Sequence, residues 1–295
     1  MSSPSRNRFA CRVACAFALV VCAFAPVALA QTTRPGVLVV VADPDNLPFS
    51  NAREEGFENK LAQIVARDLD LKLEYHWRAT RRGYWRESIK AGAADLVIGV
   101  PRDLDIALTS DAYYRSSYVF VTRARAAVTP VASFDDAALK TARIGIPLTG
   151  ESNPPPAVAL ARRGIVANVV GFPVYGQSPA KLIDAVAAKE VDVAVAWGPP
   201  AGFFASRHGD LRVTPVAPQV DESLPMAFDV SMGVAKKNSA LRDRLNVILR
   251  VRCAEIEKIL DDYHVPRVPM TQSPTERSDP DKEVATPDEV PGCCD

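Results

Sequence analysis

This sequence is short of the residues that usually carry chemistry. Its three histidines, His76, His208 and His264, are scattered and lack metal-ligand spacing, so no histidine-built metal site is expected. Cysteine use fits poorly with a disulfide scaffold. Cys11, Cys15 and Cys22 lie in the first thirty residues, leaving Cys253, Cys293 and Cys294, an odd number. Cys253 falls in a helical pattern and is expected to be a small core residue, and Cys293-Cys294 ends a polar tail. Charge of one sign is also missing: 35 basic residues face 35 acidic ones, which leaves no electrostatic footprint for nucleic acid or a membrane surface. No Gly-x-Ser-x-Gly elbow, phosphate loop, zinc motif or solenoid repeat is found, and no carboxylates can be paired for acid–base work from spacing alone. The reading is therefore a non-enzyme, with no catalytic residue, metal or cofactor.

The length, 295 residues, suits two compact lobes. Residues 1–30 read as a leader. Arg6, Arg8 and Arg12 precede the apolar run from Val13 to Leu29, and Ala28-Leu29-Ala30 is a small-x-small cleavage site. Pro26 interrupts the run, which argues against a retained span. Cleavage before Gln31 leaves 32 basic against 35 acidic residues, an exported and soluble chain. Residues 271–295 are rich in Pro, Asp, Glu and Ser and are expected to be disordered.

Between these ends strand and helix patterns alternate, which predicts an α/β fold with mostly parallel sheets. Strands are expected over Val37–Ala42, Leu71–Trp77, Ala94–Val100, Tyr118–Thr122, Arg143–Pro147, Val166–Gly171, Asp192–Trp197, Leu211–Ala217 and Phe228–Ala235. Helices are expected over Phe57–Leu69, Tyr84–Ala91, from Asn153 to Gly164, over Pro179–Ala188, through Phe203–Ser206, and in one long run over Ala240–Tyr263. A helical turn over Ser133–Leu139 has Ser133 as its expected cap. The chain leaves the first lobe near residue 123 and returns near 228. This predicts lobe one at 31–123 plus 228–270 and lobe two at 124–227, with two hinge crossings suited to closure on a ligand.

Two strand ends look like crevice walls. Val191–Pro200 (VDVAVAWGPP) runs an apolar strand into Trp-Gly-Pro-Pro, followed by Phe203-Phe204. Val37–Asp43 runs into the polar loop Asp43–Asn51 (DPDNLPFSN). Open α/β sheets place ligands at such strand ends.

Seven segments in order then carry a family resemblance: Asp43–Asn51, Gly56–Asn59 (GFEN), Arg81-Arg82-Gly83, Tyr113–Val121 (YYRSSYVFV), Asn153–Gly164 (NPPPAVALARRG), Pro173–Gly176 and Ala196–Ala205 (AWGPPAGFFA), with Val265-Pro266-Arg267 closing the match. From Val37 to Arg267 the chain resembles periplasmic solute-binding proteins of extracellular family 3. Within them it resembles the binding proteins associated with quinoprotein dehydrogenases of methanol oxidation systems. The resemblance implies a two-lobed clamshell. It also implies an accessory role toward a periplasmic quinoprotein (PQQ-dependent) methanol or alcohol dehydrogenase and its cytochrome c. The alternative is a receptor delivering a small solute to an ABC permease, and a third reading is an enzyme built on the same fold, as some dehydratases are. Relatives often carry Cys where this chain has Val41 and Ala94.

Amino-acid receptors of this fold hold a ligand carboxylate with an arginine after the third strand of lobe one and with backbone N–H groups at a lobe-two helix start. Here Arg102 is crowded by Asp103 and Asp105, and the helix opening at Asn153 begins Pro154-Pro155-Pro156, which removes N–H donors. The ligand is therefore expected not to be an amino acid. The candidate ligand-binding residues are Asp43, Asn46, Phe49, Ser50, Asn51, Phe57, Trp77, Arg81, Tyr114, Tyr175, Trp197 and Phe203. Each aromatic among them can equally be core, and each polar loop residue can equally be a turn former. Glu58 fits a helix-dipole or capping role as well as ligand contact. Arg81, Arg82 and Arg86 fit either a solvated turn or an anion-holding cluster, and Arg162-Arg163 fits a helix C-terminus.

Overall fold

The structure is a computed structural model that describes residues 32–81, 83–124, 130–148, 153–174 and 178–270. The leader, Arg82, Tyr175 and the tail with Cys293-Cys294 lie outside the described residues.

Among the described residues nine main strands and seven helices alternate. The first half contains β1 (Val37–Ala42), α1 (Phe57–Asp68), β2 (Lys72–Trp77), α2 (Tyr84–Glu87), β3 (Leu96–Pro101) and β4 (Tyr114–Arg123). The second contains β5 (Ile144–Leu148), α3 (Pro155–Arg162), β6 (Val169–Pro173), α4 (Ala180–Ala187), β7 (Val193–Trp197), α5 (Gly198–Ala205) and β8 (Leu211–Pro215). β9 (Ala227–Val234), α6 (Ser239–Val251) and α7 (Cys253–Asp262) complete the chain.

The strands form one continuous sheet in the order β2-β1-β3-β9-β4-β7-β5-β6, with β8 also pairing β4. Within each half the outer pairs are parallel: β1 with β2 and β3, and β5 with β6 and β7. Among these nine strands, antiparallel pairing is confined to pairs that involve β4 or β9, the strands that join the halves. β4 is the hinge strand. Its start, Tyr114–Ser117, pairs with Ala227–Val230 of β9, and its continuation pairs with β7 through Tyr118↔Trp197 and Val121↔Ala194. One ten-residue strand thus belongs to both halves.

Helices cover both faces of each half, so the parallel strands are buried on two sides and their sequences read as unbroken apolar runs. In the first half Leu61, Val65, Leu245 and Leu260 from α1, α6 and α7 pack on Leu38, Leu96 and Met232. The opposite face buries Val39, Val41, Ile89, Ala94 and Val97 together, which places Val41 and Ala94 in one cluster. In the second half α3 packs Ala159 and Leu160 against Ile144 and Val195, and α4 and α5 pack Ile183, Val186 and Phe204 against Val119 and Ala194.

The differences from the sequence reading are local. The long C-terminal helix is broken at Arg252, whose backbone leaves helical geometry (φ −105°, ψ 14°) and whose guanidinium bonds Asp68 at 2.6 and 3.2 Å. Cys253 is not a core residue; it is half-buried and disulfide-bonded. α2 stops at Glu87, because the Ser88 hydroxyl takes the Tyr84 carbonyl. In the turn after Ser133 the cap is Asp136, which accepts from the Ala138 N–H at 2.9 Å. Arg163 does more than answer a helix end: it forms two bonds, 2.7 and 2.9 Å, to Asp221, a carboxylate only 3% exposed.

Candidate functional site

The loop after β1 is built by its own polar groups. Asp43 accepts from the Asp45 N–H at 3.0 Å and from the Thr80 N–H at 2.6 Å, and Ser50 donates to the Asp43 carbonyl at 2.8 Å. Asn46 and Ser50 pair across a two-residue bridge. The Asn51 side chain accepts from the Glu55 N–H at 2.9 Å and donates to the Glu55 carboxylate at 2.8 Å, while Asn59 caps the Gly56 N–H at 3.1 Å. Gly56 is needed because a β-carbon there would collide with the Phe49 carbonyl. These contacts fold the loop onto the start of α1.

The loop faces a cavity of about 430 Å³. Asp43, Asn46, Phe49 and Ser50 line it from the loop, Glu58 from the first turn of α1, and Tyr114 and Tyr118 from the hinge strand. Trp197 closes it from β7 of the second half, with Phe228 of β9 beside it. Trp197 meets Tyr118 and Phe228 edge-on, at ring distances of 5.6 and 5.9 Å. A second cavity of about 660 Å³ adjoins the first, and Asp43, Asn46, Thr80 and Trp197 line both. Arg81 faces it from one side, and Phe172, Val174 and Lys181 from the other. The two strand-end loops, some 150 residues apart, therefore share one cleft.

Several candidate residues stand elsewhere. Asn51 is consumed by the loop's own hydrogen bonds. Phe57 is fully buried between Phe49, Tyr114 and Tyr263, since it opens α1 on its core side. Trp77 stacks on Tyr75 at 4.4 Å, and neither cavity reaches it. Phe203 stacks on Tyr263 at 5.7 Å with Arg207 over its other neighbourhood at 4.5 Å, so it fastens α5 to the end of α7. That seam is tight: a β-carbon at Gly202 would collide with the His264 carbonyl, and Ser116 donates to the Pro266 carbonyl at 2.6 Å. Tyr175 lies outside the described residues. Neither Arg102 nor the Pro154–Pro156 turn lines either cavity.

Sequence reasoning missed Tyr84, Trp85, Tyr118 and Phe228 as cavity walls and gave Glu58 no definite role. The Glu58 carboxyl meets no hydrogen-bond donor or cation among the described residues, and burial alone pushes it up to about 8 from the usual 4.5. Its position depends on Gly99, which has φ +76° and whose β-carbon would strike the carboxyl. Burial also raises Tyr114 well above the usual phenol range, and Tyr118 in the same direction. Among the described residues no group of three or more His, Cys, Asp or Glu is placed to hold a metal ion, and no helix is long and apolar enough to cross a membrane.

Comparison with known proteins agrees with this geometry. No protein-family model matches the chain. It is 31% identical over 261 residues to Protein MoxJ of Methylorubrum extorquens, covering 82% of this chain and 86% of that one. Among solved structures it is similar to the periplasmic binding protein XoxJ from Methylobacterium extorquens AM1, with 37% identity, a TM-score of 0.66, and coverage of 79% of this chain and 100% of that one. It is also similar to MxaJ from Methlophaga aminisulfidivorans MPT, with 25% identity, a TM-score of 0.70 and the same coverage. With a hinge strand shared by two α/β halves and a cleft between their strand ends, the chain belongs to the MoxJ family, the periplasmic solute-binding proteins associated with methanol oxidation.

Proposed function

We propose that the protein is a periplasmic accessory of a quinoprotein alcohol dehydrogenase and that its cleft binds a segment of that partner, or a small ligand, without catalysing a reaction. The observation that carries this reading is the shared cavity, where Trp197 of one half faces Asn46, Phe49 and Tyr114 of the other. An occupant touching both walls stabilises the closed arrangement by its differential affinity for that state. Residues 31–123 with 228–270 move as one lobe and 124–227 as the other. The leader directs export and is removed before Gln31.

The walls also weigh against a free amino acid. No arginine or lysine lines the aromatic cavity among the described residues, and the helix start that would supply N–H donors carries three prolines. A volume of about 430 Å³ is in the range of a small-molecule site, which supports a second reading as an ABC receptor for a non-amino-acid solute. Capture on the immobilised protein decides between them. The expected result is retention of a periplasmic quinoprotein dehydrogenase, with or without its cytochrome c, and a loss of at least about tenfold in that retention with Trp197→Ala at unchanged fold. Tight binding of a purified metabolite with no dehydrogenase retained would support the receptor and refute the accessory role.

A further inference from the structure

The aromatic cavity carries charge of one sign. Among the described residues that line it, the only charged groups are Asp43 and Glu58, both acidic. Asp43 is occupied by two backbone N–H groups, at 3.0 and 2.6 Å. Glu58 is not: among the described residues its carboxyl has neither a hydrogen bond nor an ion pair. Glu58 is half-buried, and a carboxyl held among rings without a protein partner is costly; a β-carbon on Gly99, whose φ is +76°, would strike it. Around it stand Phe49, Tyr84, Trp85, Tyr114, Trp197 and Phe228, rings whose faces attract cations. The N-terminus of α1 supports the ionised form of Glu58 once a cation is present.

From this we infer that the cavity takes an organic cation, an alkylammonium head lodged among the aromatic rings with the Glu58 carboxylate as its counter-ion. The inference rests on the cleft being a binding site and names the chemistry of its occupant. An ammonium can arrive on a free small amine or on a lysine side chain of the partner segment, and both present the same group to Glu58.

Binding is then linked to proton release. In the empty cavity Glu58 holds its proton up to about pH 8, and a bound ammonium displaces it. The titratable groups facing Glu58 are Tyr84 from α2, Tyr113 just before β4, Tyr114 from β4, and Asp43 from the loop. All three tyrosines are pushed upward by burial and stay neutral in this range.

Calorimetry with n-butylammonium chloride, and with 1-butanol as its neutral counterpart, tests the assignment on the whole protein. The expected results are binding of the ammonium at least about tenfold tighter than the alcohol, affinity rising by up to about tenfold per pH unit below about pH 8, and proton release seen as a buffer-dependent heat. Glu58→Gln abolishes the preference and the pH dependence. Equal affinity for the two probes, a flat pH profile, or an unchanged preference in Glu58→Gln each overturns the inference, and the first two need no variant. If n-butylammonium also displaces the captured dehydrogenase, the cation comes from the partner; if it binds without displacing it, the source is a free amine. Dehydrogenase retention that depends on Trp197, with no ammonium binding, leaves the accessory role standing and removes this inference alone. Ammonium binding with no dehydrogenase retained does the reverse.

Discussion

Raising the pH through neutrality should weaken the wild-type protein more than Glu58→Gln. Burial holds the Glu58 carboxyl at about 8 in the folded chain, against an ordinary 4.5 when unfolded. Between those values the folded state keeps a proton that the unfolded state has released. The unfolded state binds fewer protons, so stability falls as pH rises. One pKa unit corresponds to about 1.4 kcal/mol, so this group removes about 3 kcal/mol between about pH 5 and about pH 7. The carboxylates held below their ordinary range, including Glu55, Asp68, Glu74, Asp135 and Glu255, act oppositely. Their stabilisation is present above the ordinary value and is lost as pH falls through the folded one, so their window lies below about pH 4.5. Urea unfolding of both proteins at several pH values is the assay. The expected difference is a wild-type midpoint that drops by about 1 M relative to Glu58→Gln over that range. Parallel pH profiles would refute the reasoning, because they would mean that Glu58 ionises in its ordinary range and is solvated.

Two further outcomes follow from buried contacts. Arg163→Ala leaves the buried Asp221 carboxylate without its two bonds and should destabilise the protein by about 3–5 kcal/mol in thermal or urea melts, with Asp221→Asn in the same chain restoring a substantial part. Gly202→Ala drives a β-carbon into the His264 carbonyl at the seam between α5 and the C-terminal segment; a loss of about 1–3 kcal/mol is expected, and limited proteolysis near Pro266 should accelerate.

Much of the architecture was legible because it depends on short-range patterns. Val37–Ala42 and Val193–Trp197 are apolar runs that can be buried on both faces only in a sheet covered on two sides, and both are strands at the expected places. The polar loop from Asp43 and the Trp197-Gly-Pro-Pro turn were readable as crevice walls, since strand ends opening into such turns recur at ligand sites. Phe57 and Phe203 line neither cavity, for a common reason. An aromatic beside a loop has the same local sequence whether it faces the cleft or the core, and here both rings meet Tyr263, about 60 or more residues away.

The sequence by itself determined the alternation of elements and the segments that mark the family, because each is written in neighbouring residues. Only the tertiary structure decided which side chains share a cavity. Glu58 illustrates the limit: along the chain it is an acid in the first turn of a helix, an ordinary place for one. Its isolation among rings from α2, β4, β7 and β9, and its dependence on Gly99, come from strands far apart in sequence that the hinge strand brings together, and desolvation is set by all of those neighbours at once.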